Sequence, residues 1–481
     1  MFSLPRALSP ALLPITTFTL RSLSTAGLLL IADGTALAAA GLVSVYVRLI
    51  FDGQFAPLLY WQLSPLVGGM LLAYGAAGLY RVGISPVDEL RRLCITTTTL
   101  YLSLGAVVFL LREGVTYSRG IFLMAWGLSI VLVWVGRILL RQLCARQPWW
   151  GYPVLVLGAG KTGEMVVRAL KRQPALGLKP IAILDDDPAK QSEVEGVPVM
   201  GKLSLAPYMA RELGVSHAIV AMPGVPREQL LRILEQYAHT FPHLLMVPDL
   251  FGFASLWVST KDLGGMLGLE IRQRLLLPGP RLTKAILDRA LTVLVGILTL
   301  PLLALITLLV WCDSPGPIFY GHQRLGQNAR PFTAWKFRSM VTNGEQALEQ
   351  FLMANPDHRQ EWEEERKLKW DPRVTRTGRF LRRTSLDELP QLWNVLRGEM
   401  SLVGPRPIVG DEIRYYADTF ELYKRVLPGI TGLWQVSGRS DVTYGERVNL
   451  DAYYVRNWSV WLDVYILTKT IGAVLRGDGA Y

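Results

Sequence analysis

Charge is scarce in this chain. Of 481 residues only 19% are charged, against 51% hydrophobic. Disorder needs the opposite balance and is excluded, and a mean hydropathy of +0.28 sets the chain apart from ordinary soluble enzymes. Cysteine is nearly absent: Cys94, Cys144 and Cys312 are far apart and odd in number, which argues against a disulfide framework. The five histidines are scattered and read as no zinc site. Lysine is missing altogether from residues 1–150, which hold 11 Arg and five acids. Residues 151–275 are nearly neutral, with 13 basic and 12 acidic residues, and 276–481 carry 26 against 22. The net charge of +11 therefore gathers at the flanks of apolar runs, where it reports membrane orientation. No nucleic-acid partner is needed to explain it.

Four apolar runs fill residues 1–150: about Ala26–Leu49, Leu58–Tyr80, Leu93–Leu111 and Ile121–Leu140. Each is near the ~20 residues that a bilayer-crossing helix requires. The first starts too late and runs too long for a signal peptide, and three more follow. Arg6, Arg21, Arg81, Arg91, Arg92, Arg137, Arg141 and Arg146 fall on one side, but only Arg48, Arg112 and Arg119 on the other. Both ends of a four-helix transmembrane bundle are accordingly expected in the cytoplasm.

At Gly151 the texture changes. Strand-like runs at Val154–Leu157, Ile181–Leu184, His217–Met222 and Leu244–Val247 alternate with helical stretches, predicting a Rossmann-like parallel α/β domain over 151–275. Gly158, Gly160 and Gly163 follow the first strand, and Asp185 lies 22 residues beyond Gly163. Two readings stand. Such a loop sets a pyrophosphate on a helix N-terminus while the acid holds a ribose; alternatively, the glycines only make the turn. On either reading, a bulky residue at Gly160 is expected to damage folding or regulation of this domain rather than chemistry. Tyr465 and Lys469 fit a dehydrogenase-type Tyr-x-x-x-Lys pair, but no second glycine-rich unit precedes them, so the match is read as chance.

A fifth apolar run, Ala290–Trp311, opens a mixed α/β region. The charged insert Gly344–Lys369 reads as a solvated helix. Arg373, Arg376, Arg379, Arg382 and Arg383 fall within eleven residues that contain no acid. Arg suits bidentate phosphate contacts, and a patch binding anionic headgroups would look the same. Next come Asp387 and Glu388, just before Pro390, which suits a helix start. Adjacent carboxylates beside an Arg cluster suggest one nucleophile and one Mg²⁺ ligand. Ser385-x-x-Glu388 is equally a capping-box pattern. Lys336, Arg338 and Arg406 offer further phosphate partners. Pro428–Arg439, with Gln435 and Arg439, is glycine-rich enough to approach a ligand closely.

Gly316–Phe319, Gln323–Gly326, Lys336–Met340, Thr384–Gln391, Met400–Pro407 and Pro428–Arg439 together resemble the bacterial polyprenyl-phosphate hexose-1-phosphate transferases, the monotopic phosphoglycosyl transferases. Order and spacing agree over about 200 residues, and the whole chain looks like the long form of that family. The resemblance implies that Asp387 is the nucleophile, that Glu388 positions Mg²⁺, and that Arg382 and Arg406 bind substrate phosphate. It also implies a membrane-re-entrant helix over about 285–311, broken at Pro301, where Leu300 replaces the family's frequent Ser. The architecture expected is thus a multidomain membrane protein: a transmembrane domain over 1–150, a Rossmann-like domain over 151–275 and a catalytic domain over 276–481. The expected partners are a UDP-hexose (galactose before glucose), undecaprenyl phosphate, membrane lipid and a second copy in a homodimer, at the bacterial inner membrane with both later domains cytoplasmic. Two alternatives remain open: a membrane-bound NAD-dependent nucleotide-sugar dehydratase, and a non-enzymatic nucleotide-sensing scaffold.

Overall fold

A computed structural model describes residues 15–51, 58–81, 83–110, 118–147, 149–190, 193–248, 258–262, 267–271, 274–355, 371–437 and 443–476. Two compact units emerge, Met1–Phe251 and Gly252–Tyr481. The hairpin Val258–Ile271, within the stretch expected to close the middle domain, falls in the second unit.

In the first unit, α1 (Ile15–Phe51), α4 (Pro86–Leu110) and α5 (Arg119–Cys144) follow three of the four predicted runs. The run at Leu58–Tyr80 does not form one long helix. It is split into α2 (Leu58–Trp61) and α3 (Pro65–Ala76), joined by i→i+3 backbone bonds such as Leu63 N–H to Tyr60 O, 3.1 Å. Pro65 is the cause, because it has no N–H to continue the preceding turn. The 12 residues of α3 reach only ~18 Å at 1.5 Å per residue, short of a hydrocarbon core unless α2 extends them. Among the described residues, four helices are long and apolar enough to cross a membrane: Ser24–Phe51, Pro86–Leu110, Arg119–Cys144 and, in the second unit, Pro278–Asp313.

The bundle closes around charge. Arg137 is fully buried and clasps Asp33 twice, Nε to Oδ1 at 2.9 Å and Nη2 to Oδ2 at 2.5 Å. Its Nη1 donates to Glu89 Oε1 at 2.5 Å and to the Leu79 carbonyl at 3.0 Å. Arg141 grips the other side of Glu89. Three helices and the turn after α3 are therefore tied at one level.

The α/β module follows directly, with Trp150 buried against Leu29 and Ala145. Strands β1 (Tyr152–Leu157) and β2 (Leu178–Leu184) flank α6 (Lys161–Arg172). After the short hairpin β3 (Glu193–Val194) and β4 (Val197–Pro198) come α7 (Ala206–Glu212), β5 (His217–Val220), α8 (Arg227–Ala238) and β6 (His243–Met246). The four long strands pair in parallel in the order β2-β1-β5-β6. Continuous burial along β1 is what a parallel sheet covered on both faces requires.

In the second unit, the hairpin β7 (Val258–Asp262) and β8 (Leu267–Ile271) precedes α9 (Pro278–Asp313), 36 residues long. The expected break at Pro301 does not interrupt it. One proline removes one backbone bond, so the hydrogen-bonded ladder continues on either side while Pro301 remains a point where the helix can bend. Thr299 Oγ1 reaches back to the Val295 carbonyl, 2.8 Å, at the same level. Lys284, Asp288 and Thr292 form a buried polar stripe four residues apart, and Ile306 and Val310 an apolar one. Between and around them Ile297, Leu298 and Leu300 are exposed, as a lipid-facing surface would be.

Beyond α9 come the antiparallel β9 (Phe319–Leu325) and β10 (Pro331–Phe337), α10 (Gly344–Ala354), α11 (Arg376–Thr384) and α12 (Gln391–Leu396). Part of the predicted charged helix is α10; residues 356–370 lie outside the described residues. Strand β11 (Ser401–Val403) pairs in parallel with β12 (Gly429–Thr431) across the short helices α13 (Ile413–Tyr416) and α14 (Phe420–Tyr423). The last helices are α15 (Leu433–Val436), α16 (Tyr444–Asn457) and α17 (Val460–Arg476).

Candidate active site

The acidic pair sits at a sharp corner. Thr375 caps α11 by accepting the Gly378 N–H at 2.9 Å, and Ser385 ends it in the left-handed region at φ 54°. A single 3₁₀ turn, Leu386–Glu388, then carries Asp387 and Glu388 into α12, with Pro390 at its N-cap. Ser385 offers no side-chain cap, so the capping-box alternative is not realised. Leu386 and Leu389 pack on a core of Ile306, Val310, Phe337 and Leu381, which pins the corner from below.

Lys336 reaches the pair from β10. Its Nζ lies 2.6 Å from Glu388 Oε1 and 3.8 Å from Asp387 Oδ2. Burial pushes the Asp387 carboxyl above the usual range; Lys336 and Arg382 oppose that shift, while Glu388 adds to it. Fully buried Asn394 fixes the geometry. It accepts the Trp335 N–H at 3.2 Å and donates to the Thr333 carbonyl at 2.8 Å, stapling α12 to the strand that carries Lys336. Nothing in the local sequence marks Asn394 for this role.

The predicted phosphate partners divide. Arg382 donates from Nε to Ser339 Oγ at 2.9 Å and lies within electrostatic range of Asp387. Arg383 is exposed on α11. Arg338 is different: its guanidinium is buried and donates to the Ser314 and Pro315 carbonyls, the latter at 3.2 Å. It latches the end of α9 and is not turned to the carboxylates, so its assignment as a phosphate partner is corrected. Gln435 folds back on its own loop, Nε2 lying 3.5 Å from the Ile430 carbonyl. Arg439 lies outside the described residues.

The glycines of the Pro428 loop have a packing role. A Cβ on Gly429 would stand 2.0 Å from Gly404 N, and one on Gly432 2.5 Å from Gly404 O. They let two backbone segments cross, with no opening to a ligand needed to explain them. Arg406, in the loop after β11, is exposed and its Cζ lies 5.6 Å from the Trp434 ring centroid. Arg447 approaches the same ring at 4.8 Å. Half-buried Arg324 is pulled below its usual value by burial and by Arg406, against Glu412 and Glu388, which raise it. Sequence reading placed Arg324 only at the membrane interface and in a family motif, and assigned no role to Arg447.

In the first unit the glycine loop is internally occupied. A Cβ on Gly158 would meet Met222 Cγ at 2.4 Å, and one on Gly163 would meet the Gly158 carbonyl at 2.0 Å. Asp185 Oδ2 accepts the Ala159 N–H at 2.7 Å and Oδ1 accepts the Asp187 N–H at 2.9 Å. The acid therefore ties down its own glycine loop. Gly160 has nothing within 4 Å of an added Cβ, so a single methyl group there meets no packed neighbour. Gly160→Ala should cost no more than ~1 kcal/mol of thermal stability, the preference for Gly over Ala at a helix N-cap, because the added Cβ meets nothing. Gly163→Ala should lower it by more than ~1 kcal/mol, the range of overpacking. Differential scanning fluorimetry of the two variants is the check, and equal losses would refute the packing argument.

Two further motifs are purely structural. Lys469 Nζ lies 5.8 Å from the Tyr465 ring centroid on the same helix, a one-turn contact. His239 and His243 are four apart, but α8 ends at Ala238 and β6 begins at His243, so no helical metal pair forms. Among the described residues no three His, Cys, Asp or Glu side chains cluster to hold a metal. Mg²⁺ does not need three, because it takes one or two carboxylates with substrate phosphates completing its shell. Asp387 and Glu388 supply such a pair of oxygen donors, and a cation, the Lys336 ammonium, already rests against them. The donor set fits.

The same segments carry the family signal. Residues 279–477 match the model of the bacterial sugar transferases, and residues 75–248 that of a CoA-binding domain. The chain is 40% identical over 370 residues to the UDP-galactose-lipid carrier transferase of Erwinia amylovora, covering 76% of each. It is 38% identical over 371 residues to the undecaprenyl-phosphate galactose phosphotransferase of Salmonella typhimurium, covering 76% of this chain and 77% of that one. With the UDP-glucose:undecaprenyl-phosphate glucose-1-phosphate transferase of Escherichia coli it shares 32% identity over 375 residues, covering 74% and 77%. Identity at this level, over three quarters of both partners, accompanies an acidic corner built by the family's own motifs, and the chain belongs to the polyprenyl-phosphate hexose-1-phosphate transferases.

Proposed function

We propose that this protein transfers hexose-1-phosphate from a UDP-hexose to undecaprenyl phosphate by way of a covalent aspartyl phosphosugar. The observation that supports this reading is a buried carboxyl, Asp387, between a second carboxylate and two cations. An Asp387 oxygen attacks the sugar-bearing phosphorus, the bond to the uridine phosphate breaks, and UMP departs. A phosphate oxygen of the lipid then attacks the same phosphorus, freeing Asp387 and giving undecaprenyl-diphosphate-hexose. Lys336 lowers the cost of ionising Asp387, and Arg382 stands ready for phosphate oxygens. Asp387 and Glu388 would hold Mg²⁺, which when bound neutralises charge on the diphosphate. Galactose is the favoured hexose because the relatives of higher identity named for a sugar carry galactose in their names; glucose is next. The test offers the purified protein a panel of UDP-sugars with undecaprenyl phosphate and follows UMP release. No release with any of them would sink the reading. The dehydratase alternative is disfavoured by membership of the sugar-transferase family.

The proposal includes orientation. Four N-terminal crossings, the second completed by α2 extending α3, would leave the rest of the chain cytoplasmic, and α9 would then enter the membrane and return. Both ends of α9 bind the same globular unit. Lys284 Nζ lies 2.7 Å from Asp463, Ser401 Oγ donates to Asp288 at 2.6 Å, and 25 residues beyond Asp288 Asp313 accepts the Thr377 N–H at 2.8 Å. A helix crossing ~30 Å of hydrocarbon would hold its ends on opposite sides. Lys284 and Ser314 are buried and would label poorly, so the probes are exposed Thr283→Cys and native Cys312. With Cys94 and Cys144 replaced, both probes should react from one side of sealed vesicles. Reaction from opposite sides would mean a true span.

A further inference from the structure

We propose that Glu399 and Asn394 are a positioning pair for the transfer reaction. The Glu399 carboxylate aims the Asn394 amide, the amide grips strand β10, and the strand sets where the Lys336 ammonium stands against Asp387 and Glu388. The proposal rests on the transfer reaction above and adds to it Glu399, which lies past the other end of α12 from the acidic corner.

The local chain brings the pair together. Gly398, at φ 75°, reverses the backbone after α12. Its N–H donates to the Val395 carbonyl at 3.0 Å, and the Glu399 N–H donates to the Asn394 carbonyl at 3.0 Å. This is the Schellman pattern, in which residues at the places of Asn394 and Glu399 meet and often make an apolar contact. Here the contact is polar. Asn394 Nδ2 donates to Glu399 Oε2 at 2.6 Å, while Arg397 Nη2 stands 3.4 Å from Oε1. Asn394 is fully buried, so an amide at this place carries a desolvation penalty that an apolar side chain would not. What the pair gains is direction. A carboxylate only accepts, so it holds the amide nitrogen on its own side.

The strand needs that direction. Strand β10 pairs with β9 along one edge, and among the described residues no strand covers the other. Asn394 takes a neighbouring strand's place there: Oδ1 accepts the Trp335 N–H at 3.2 Å and Nδ2 donates to the Thr333 carbonyl at 2.8 Å. Were the amide reversed, its NH₂ would face the Trp335 N–H, and its oxygen would face both the Thr333 carbonyl and the carboxylate. The next residue along is Lys336, whose Nζ lies 2.6 Å from Glu388 Oε1 and 3.8 Å from Asp387 Oδ2. A lysine stem is flexible, so the backbone at 335 and 336 is the part of this contact that the fold controls.

The experiment uses the full-length protein in detergent and follows UMP release from UDP-hexose and undecaprenyl phosphate across pH. Glu399→Leu supplies the apolar contact usual in this turn, so the fold should hold while the amide loses its director. The variant should lower kcat/KM by about tenfold. It should also move the acid limb of the profile upward by about half a pH unit, because a displaced ammonium helps less to ionise Asp387. Glu399→Gln keeps an oxygen to accept the Asn394 N–H and should recover most of the loss. Asn394→Leu should move the limb in the same sense and further. In a protein that already carries Lys336→Met, neither leucine change should move the limb again, as expected of residues that act through one another. That comparison separates positioning from general loosening. Should Asn394→Leu fail to fold, Glu399→Leu with and without Lys336→Met decides by the same readout. A limb that stays in place, or that shifts as much without Lys336 as with it, would overturn the pair while wild-type UMP release still upholds the transfer reading. A wild-type protein that releases no UMP would refute that reading, and the pair with it.

Discussion

Asp387→Asn should abolish turnover and the donor-only UMP burst together, with a loss of at least ~1,000-fold, as expected when a nucleophile is removed. The fold should survive, because Asn has the same shape and the corner is held by Leu386, Leu389 and the Asn394 staple. Mass spectrometry of the wild-type protein incubated with UDP-hexose should place a phosphohexose on Asp387. Near-wild-type turnover by the Asn variant would remove Asp387 from the role. The pH profile supplies a second check. Burial raises the Asp387 carboxyl above its ordinary value, and the protonated form cannot attack. Activity in kcat/KM should therefore fall on acidification at a pH above the usual ~4 of a carboxylate. Lys336 opposes the rise, so Lys336→Met should move that acid limb to still higher pH. A limb that stays put would mean the ammonium does not act on Asp387.

Legibility followed the range of the interactions. Long apolar runs and alternating strands are written in local periodicity, and α1, α4, α5 and the four parallel strands lie where that periodicity put them. The run at Leu58–Tyr80 shows the limit. Its composition is apolar enough for a crossing, yet Pro65 divides it, and proline acts through a missing N–H that hydropathy does not count. At the site, Asp387, Glu388, Lys336 and Arg382 were readable because charge is rare in this chain and stands out. What charge alone does not tell is direction. Arg338 and Lys336 are two residues apart at the end of one strand, but one turns to carbonyls and the other to the carboxylates. Arg447 and Asn394 escaped notice because their partners, Trp434 and Thr333, are distant in sequence and paired only by the fold. The glycines misled in the opposite sense, since close crossing of two backbones and close approach of a ligand call for the same residue.

The other large effect belongs to the buried charges of the bundle. Removing either Asp33 or Arg137 alone should destabilise the first unit by ~3–5 kcal/mol, the range for breaking a buried pair. The side chains of both are 0% exposed, and Glu89 is 1% exposed. In Asp33→Asn the guanidinium keeps the Leu79 carbonyl and, as its acidic partner, Glu89, which Arg141 already shares. In Arg137→Met the Asp33 carboxylate keeps no cation within ion-pair distance among the described residues. The double variant, Asp33→Leu with Arg137→Met, should be less damaged than either single change predicts, because burying apolar groups in place of an ion pair is often neutral. The coupling should exceed ~1 kcal/mol, as for residues in one network. Thermal unfolding in a fixed detergent, followed by fluorescence, measures all four corners of the cycle. Single variants within ~0.5 kcal/mol of wild type would show that the network is wetter than its burial implies. The cycle also separates anchor from engine. If the bundle only holds the protein in the membrane, UMP release per folded molecule should be unchanged in every variant while stability falls. A drop in release that tracks the broken pair would mean that the charges at the base of the bundle take part in the catalytic cycle.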